Sequence, residues 1–137
     1  MPDNIRVVAI AFFCQTNQKY LICRRGPAES GAGQWEFPGG KIDGEETEKQ
    51  ALIREVYEEL SLVIHDSGLV FVSDHQHQYE KRKIHIYLYK YNIENYKINF
   101  NITLIDHDQF EWVNLGEIQM YDLAGADLPF IEKLKLV

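Results

Sequence analysis

Glu55, Glu58 and Glu59 stand at i, i+3 and i+4 in a chain of 137 residues. On a helix, at about 100° per residue, they share one face, where like charges repel by a few tenths of a kcal/mol per pair. A cation held among them would relieve that cost. Carboxylate oxygens with no cysteine or histidine beside them suit a hard divalent ion, Mg²⁺ or Mn²⁺, better than zinc. A divalent ion among clustered carboxylates points in turn to phosphate-ester or phosphoanhydride chemistry. Three glutamates alone would be read as a solvated helix face. The spacing around them decides otherwise.

Gly40 is followed after five residues by Glu46, after seven more by Arg54-Glu55 and Val56, then by Glu58-Glu59 and, one residue on, Ser61-Leu62. This segment resembles the Nudix box, Gly-x5-Glu-x7-Arg-Glu-U-x-Glu-Glu-x-Gly-U with U aliphatic. Eight of its nine defined positions match, and Ser61 stands where the family carries glycine. That glycine normally follows the last helical turn, so serine there is expected to cost roughly 1 kcal/mol of stability and to leave the chemistry alone. A Walker-type phosphate loop is excluded, because Trp35 and Ile42 occupy positions where it needs glycine and serine or threonine around Lys41.

Outside the box, Arg24-Arg25, the run Gln34-Trp35-Glu36-Phe37-Pro38-Gly39-Gly40-Lys41, Trp112 and the run Leu123-Ala124-Gly125-Ala126-Asp127-Leu128-Pro129 resemble the MutT branch of the family. The likeness implies an α/β Nudix fold, an α/β/α sandwich with a curved mixed sheet between helices, as a single domain over residues 1–137. It implies Mg²⁺, with Mn²⁺ as a substitute, held by the Gly39 carbonyl, Glu55, Glu58 and Glu59. It also places Arg24 near the phosphates, where Arg25 and Lys41 would add positive charge, Lys41 as a mobile point charge, and Arg54 and Glu46 would orient the glutamates. A further metal-binding carboxylate of these relatives maps to Asp106, six residues before Trp112, with Asp108 as the alternative.

The activity implied is hydrolysis of a nucleoside triphosphate to the monophosphate and pyrophosphate. An example is 8-oxo-dGTP, in sanitisation of the nucleotide pool. CTP or 5-methyl-dCTP, and ADP-ribose or a nucleotide sugar, are alternative substrates. A module that binds a nucleotide without cleaving it is the alternative of another class; it predicts loss of a box glutamate, and none is lost. For hydrolysis, a water deprotonated by a carboxylate would attack phosphorus in line, with Glu55, Glu58, Glu59 and the Asp106 loop all open as the base.

Asp127 takes the position of the base-reading asparagine in the 8-oxo-dGTP enzymes. Ionised, it accepts hydrogen bonds and donates none, which suits a cytosine amine and repels the O6 of 8-oxoguanine; a raised pKa would restore purine binding. Asp127 also reads as the N-cap of a final helix. Phe37, Ile5, Val7 and Leu123 are expected as pocket walls. The histidines carry little weight, and the tyrosines of the later strands read as sheet residues with polar tips rather than as a stacking platform.

A net charge of −7 argues against a surface that tracks a nucleic-acid backbone, and leaves room for a small polyanion that arrives with its own cation. No run approaches the ~18 apolar residues of a membrane span. The expectation is therefore a cytoplasmic monomer or homodimer acting on a small nucleotide, with no membrane and no stable nucleic-acid partner. Cys14 and Cys23 are expected as free buried thiols.

The elements that must position these groups follow from periodicity. Val7 to Phe13 reads as a buried strand returning through Tyr20 to Cys23, and Trp35 to Phe37 as a short strand stopped by Pro38. Thr47 and Gln50 form a capping box that predicts a helix from Glu48 to about Leu60, with Leu52, Ile53, Val56 and Leu60 as its apolar stripe. Leu69 to His77 and Ile84 to Ile93 are expected to pair, with Phe110 to Val113 another strand. A final helix is expected from Asp127 to about Leu136.

Overall fold

The computed structural model describes residues 3–137. Its centre is β1 (Asp3–Cys14), whose neighbouring side chains enter two different cores. Val8, Ile10 and Phe12 pack with Leu52, Val56 and Leu60 of the long helix, whereas Ala9 and Ala11 pack with Leu88, Phe130 and Leu134. A strand covered on both faces needs apolar residues at every position, which is why this stretch shows no alternation.

β1 runs parallel to β6 (Arg82–Ile93) along its whole length, from Asp3↔Arg82 to Cys14↔Ile93. It pairs with β2 (Lys19–Arg25) only at the hairpin, through Phe13↔Tyr20 and Cys14↔Lys19. The two strands then part. β2 goes on to pair with the short β3 (Trp35–Glu36) and with β7 (His107–Val113), while β4 (Gly39–Lys41) takes the place beside β1 at Val7 to Ala9. Phe37 and Pro38 span the gap, and the Pro38 carbonyl accepts the Ile10 N–H at 2.9 Å. β5 (Leu69–Tyr79) pairs with β6 at the sheet edge, giving the order β3-β2-β1-β6-β5. This is an open mixed sheet of α/β class with two helices. No helix among the described residues is long and apolar enough to cross a membrane.

α1 (Glu48–Leu60) starts where the capping box predicts. The Gln50 N–H donates to Thr47 Oγ1 at 3.1 Å, and the Thr47 N–H donates to Gln50 Oε1 at 2.9 Å. Ala51, Leu52, Val56 and Leu60 are buried, and Ile53 packs beside them partly exposed. The helix ends on Ser61 in the left-handed conformation, φ 56° and ψ 35°, with its N–H donating to the Tyr57 carbonyl. The glycine geometry of the motif is thus kept without the glycine.

α2 (Phe130–Leu134) is shorter than the sequence predicts, and Asp127 does not cap it. The Asp127 carboxylate accepts the Phe37 N–H at 3.0 Å instead, so Pro129 rather than Asp127 precedes the first helical residue. Both cysteines are free and buried.

Replacing Ser61 with glycine should relieve the left-handed strain, worth about 1 kcal/mol. We expect thermal melting of Ser61→Gly to rise by about 3 °C with kcat unchanged; an equal or lower melting point would show that the C-cap is unstrained.

Candidate active site

Where β1 and β2 part, a cavity of about 720 Å³ opens. Its acidic end is made by Glu55, Glu58 and Glu59 of α1 and by Asp106 just before β7. The glycines of β4 allow this approach. A Cβ on Gly40 would lie 2.3 Å from the Glu55 carboxyl carbon, and one on Gly39 would lie 1.9 Å from the Val8 carbonyl oxygen. Gly26 does the same for Asp106: its N–H donates to the Asp106 carbonyl at 3.2 Å, where a Cβ would come within 2.4 Å of that oxygen.

Arg54 holds the cluster together. Its Nε and Nη2 donate to Glu46 at 2.8 and 2.9 Å, its Nη1 to Glu55 at 2.9 Å and to Glu58 at 3.2 Å, and Nη2 also to the Lys41 carbonyl at 2.9 Å. The bond from Arg54 draws the Glu46 pKa down to about 2, and the same pairings raise that of Arg54. Glu46 does not line the cavity; it aims Arg54.

Glu59 is left out of this network. Its Oε2 is buried with no hydrogen-bond partner, and burial, with the charges of Glu55, Glu36 and Asp106, pushes its pKa up to about 8. Burial also raises that of Glu55, against the opposing bond from Arg54. A buried carboxylate without a partner costs several kcal/mol if charged, so the donor set fits a hard divalent cation that would supply the missing positive charge. Among the described residues no three acidic, histidine or cysteine side chains form a closed cage. An open set is what Mg²⁺ takes when it keeps several waters and shares phosphate oxygens with a substrate.

Of the two adjacent arginines, only one reaches the cavity. Arg24 points away from the cavity, with Nε and Nη2 donating to Asp108 at 2.7 and 2.9 Å, whereas Arg25 lines it. Alternation along β2 sends the two to opposite faces, and a bulge in β7 sets their partners. Pairing is regular from Tyr20↔Val113 to Arg24↔Gln109, and the next pair would be Arg25 with Asp108; it is Arg25↔His107. The extra residue turns Asp108 to the Arg24 face and brings His107 to the Arg25 face. Asp108 is therefore no substitute for Asp106, which does line the cavity. Lys41 lines it as well.

At the other end lie Phe37, Val7, Tyr79, Ile84 and Ile86, with Ala124, Ala126 and Asp127. Ile5 and Leu123 are not among the lining residues; Leu123 is buried and bridges to Trp35. The pairing of Trp35 with residues 122–124, through Trp35 N–H to Asp122 O and Ala124 N–H to Trp35 O at 2.8 Å each, brings Asp127 to Phe37. Asp127 is 3% exposed, and burial, with the charge of Glu36 adding, lifts its pKa to about 8.

Glu36, Tyr79 and His107 line the cavity without having been expected there from the sequence. Glu36 is a charged residue in a short strand beside a glycine pair, a signal that could have been used. Tyr79 is placed by the β5–β6 hairpin, and nothing in its local sequence separates it from the other sheet tyrosines. His107 depends on the bulge, which leaves no signature in sequence. His75 is half-buried and packs against Phe130 with ring centroids 4.5 Å apart.

The chain belongs to the NUDIX domain family, whose model matches residues 4–134. The family is one of hydrolases acting on the pyrophosphate bonds of nucleotides. The chain is similar to the CTP pyrophosphohydrolase of Escherichia coli (strain K12), 31% identical over 129 residues that cover 92% of this chain and 89% of that protein. It is similar also to the 8-oxo-dGTP diphosphatase of Proteus vulgaris, 34% identical over 68 residues, 50% of this chain and 61% of that protein. The crystal structure of the MutT protein from Methanosarcina mazei Go1 superposes with a TM-score of 0.83 at 21% identity, over 98% of this chain and 95% of that one.

With its folded pKa raised above the unfolded value, Glu59 contributes stability that is present at low pH and lost as pH rises from about 5 through about 8. In chelator at pH 9, Glu59→Gln should therefore melt higher than the wild type, and saturating Mg²⁺ should reverse the order. Equal Mg²⁺ responses of the two proteins would remove Glu59 from the ion's ligands.

Proposed function

We propose that the protein is a Mg²⁺-dependent nucleoside triphosphate pyrophosphohydrolase of MutT type, releasing the monophosphate and pyrophosphate from (d)NTPs such as 8-oxo-dGTP. The observation that carries this reading is the layout of one cavity: carboxylates and Arg25 at one end, and a buried Asp127 beside Phe37 at the other. A triphosphate would lie along the acidic end and its base against Phe37 and Tyr79.

Glu55, Glu58, Glu59, Asp106 and the Gly39 carbonyl are the groups that would hold Mg²⁺. The bound ion would neutralise charge building on the phosphate oxygens in the transition state. Arg54 keeps Glu55 and Glu58 in place; Arg25, with Lys41 as a second cation, would orient the phosphates. Whichever of these carboxylates the ion leaves free would take the proton of the attacking water.

Asp127 reads the base. One of its oxygens is committed to the Phe37 N–H. With its pKa near 8, the carboxyl is neutral at pH 7 and can donate as well as accept. It then fits both the O6 acceptor and the N7–H donor of 8-oxoguanine, whereas an ionised Asp127 would accept from N7–H and repel O6. Cytidine is the second reading, supported by the CTP-cleaving relative: cytosine offers an acceptor and an amine donor, and the amine suits either form of Asp127.

The test is pyrophosphate release with Mg²⁺ from 8-oxo-dGTP, dGTP, CTP, 5-methyl-dCTP and ADP-ribose, with Glu58→Gln as the control. We expect Glu58→Gln to lose at least about tenfold in kcat, by loss of transition-state charge stabilisation, while melting normally. An unchanged kcat would remove Glu58 from the site, and binding of nucleotide without any product would leave the non-catalytic module.

A second expectation concerns pH. As Asp127 ionises through about pH 8, the ratio of kcat/KM for 8-oxo-dGTP to that for CTP should fall in the wild type. In Asp127→Asn the ratio should be higher and flat across this range; the same fall in the variant would show that Asp127 does not read the base.

A further inference from the structure

We infer that His107 is a positioning residue for the phosphate-binding arginine, acting through Glu36; the inference rests on the proposed role of Arg25. Three strands supply the parts, Arg25 from β2, Glu36 from β3 and His107 from β7. Arg25 Nη1 donates to Glu36 Oε1 and Oε2 at 3.0 and 3.2 Å, and its Nε donates to the Ser30 carbonyl. His107 Nε2 lies 2.9 Å from Glu36 Oε2. A carboxylate accepts only, so Nε2 carries the proton and donates.

The arrangement leaves Arg25 with N–H groups to spare. A guanidinium has five, of which those of Nε and Nη1 bond Ser30 and Glu36, while Nη2, 3.6 Å from Glu29, makes no hydrogen bond. The remainder are free for an anion in the cavity that Arg25 lines. Without a clamp, an arginine side chain loses more rotamer freedom on meeting a phosphate. Glu36 is the clamp, and its own direction is set by His107, whose side chain is 4% exposed against 17% for Glu36.

The buried imidazole is costly, which argues against an incidental contact. His107 Nδ1 is buried with no partner. The β7 bulge is what brings the ring to this face, since a regular ladder would put Asp108 opposite Arg25. An aspartate there would meet Glu36 as a second negative charge. The bulge therefore replaces a repelling side chain by a donor, and turns Asp108 to Arg24 on the opposite face.

The experiment is a binding cycle read by calorimetry in Mg²⁺ buffer, with imidodiphosphate, a hydrolysis-resistant diphosphate, as the probe. Wild type, His107→Ala, His107→Gln, Arg25→Ala and the double variant His107→Ala/Arg25→Ala would be compared. His107→Ala should weaken binding by roughly tenfold, and by less than about twofold in the Arg25→Ala background, since the two act as one unit. His107→Gln places an amide N–H near the Nε2 position and should restore affinity to within about twofold of wild type. A purely structural role would lower the melting point and weaken binding equally in both backgrounds. That result, or failure of glutamine to rescue in a variant that melts normally, would overturn the inference, as would absence of probe binding by the wild type. The two readings separate cleanly: the expected cycle without nucleotide hydrolysis would remove the hydrolase and keep the positioning role, and hydrolysis without the cycle would do the reverse.

Discussion

Four carboxylates converge at one end of a cavity, and their mutual repulsion is the constraint that the surrounding structure answers. Arg54 answers part of it from within the helix, with donors to Glu46, Glu55 and Glu58 and to the Lys41 carbonyl. It thereby ties α1 to β4 and to the loop between them. Glu59, on the same face but beyond the reach of Arg54, keeps an unpartnered oxygen and a raised pKa. The acids are thus held close together, with one oxygen among them left without a hydrogen-bond partner.

That site needs a sheet that comes apart. β1 and β2 stay together for two residue pairs and then separate, and β3, Phe37-Pro38 and β4 fill the space on either side of the gap. Glycines at 39 and 40 allow the β4 backbone to lie against Val8 and under the Glu55 carboxyl. The same separation exposes Phe37 and the Asp127 carboxyl to the far end of the cavity. The acidic end and the Asp127 end of the cavity are thus placed by one irregularity in strand pairing.

The second irregularity, in β7, sorts charge by face. Two adjacent arginines sit on β2, and alternation alone sends them to opposite sides of the sheet. The extra residue in β7 then gives each a different partner, Asp108 for Arg24 and the His107-Glu36 pair for Arg25. One arginine becomes part of a surface ion pair, worth little in stability. The other remains in the cavity with free donors.

The sequence by itself determined the family, the helix with its cap and its acid face, the apolar central strand and the paired later strands. These are legible because they rest on local periods and on charged residues at fixed offsets, which neither packing nor pairing can alter. Ser61 shows how firmly: the left-handed turn forms even without the glycine that makes it easy. Only the tertiary structure decided that Arg25 and not Arg24 enters the cavity, that Asp106 and not Asp108 joins the acids, and that Asp127 binds the Phe37 N–H in place of capping a helix. Each of these turns on strand register or on a contact between residues far apart in the chain. A shift of one residue reverses the face of a side chain, and a single sequence carries no record of such a shift.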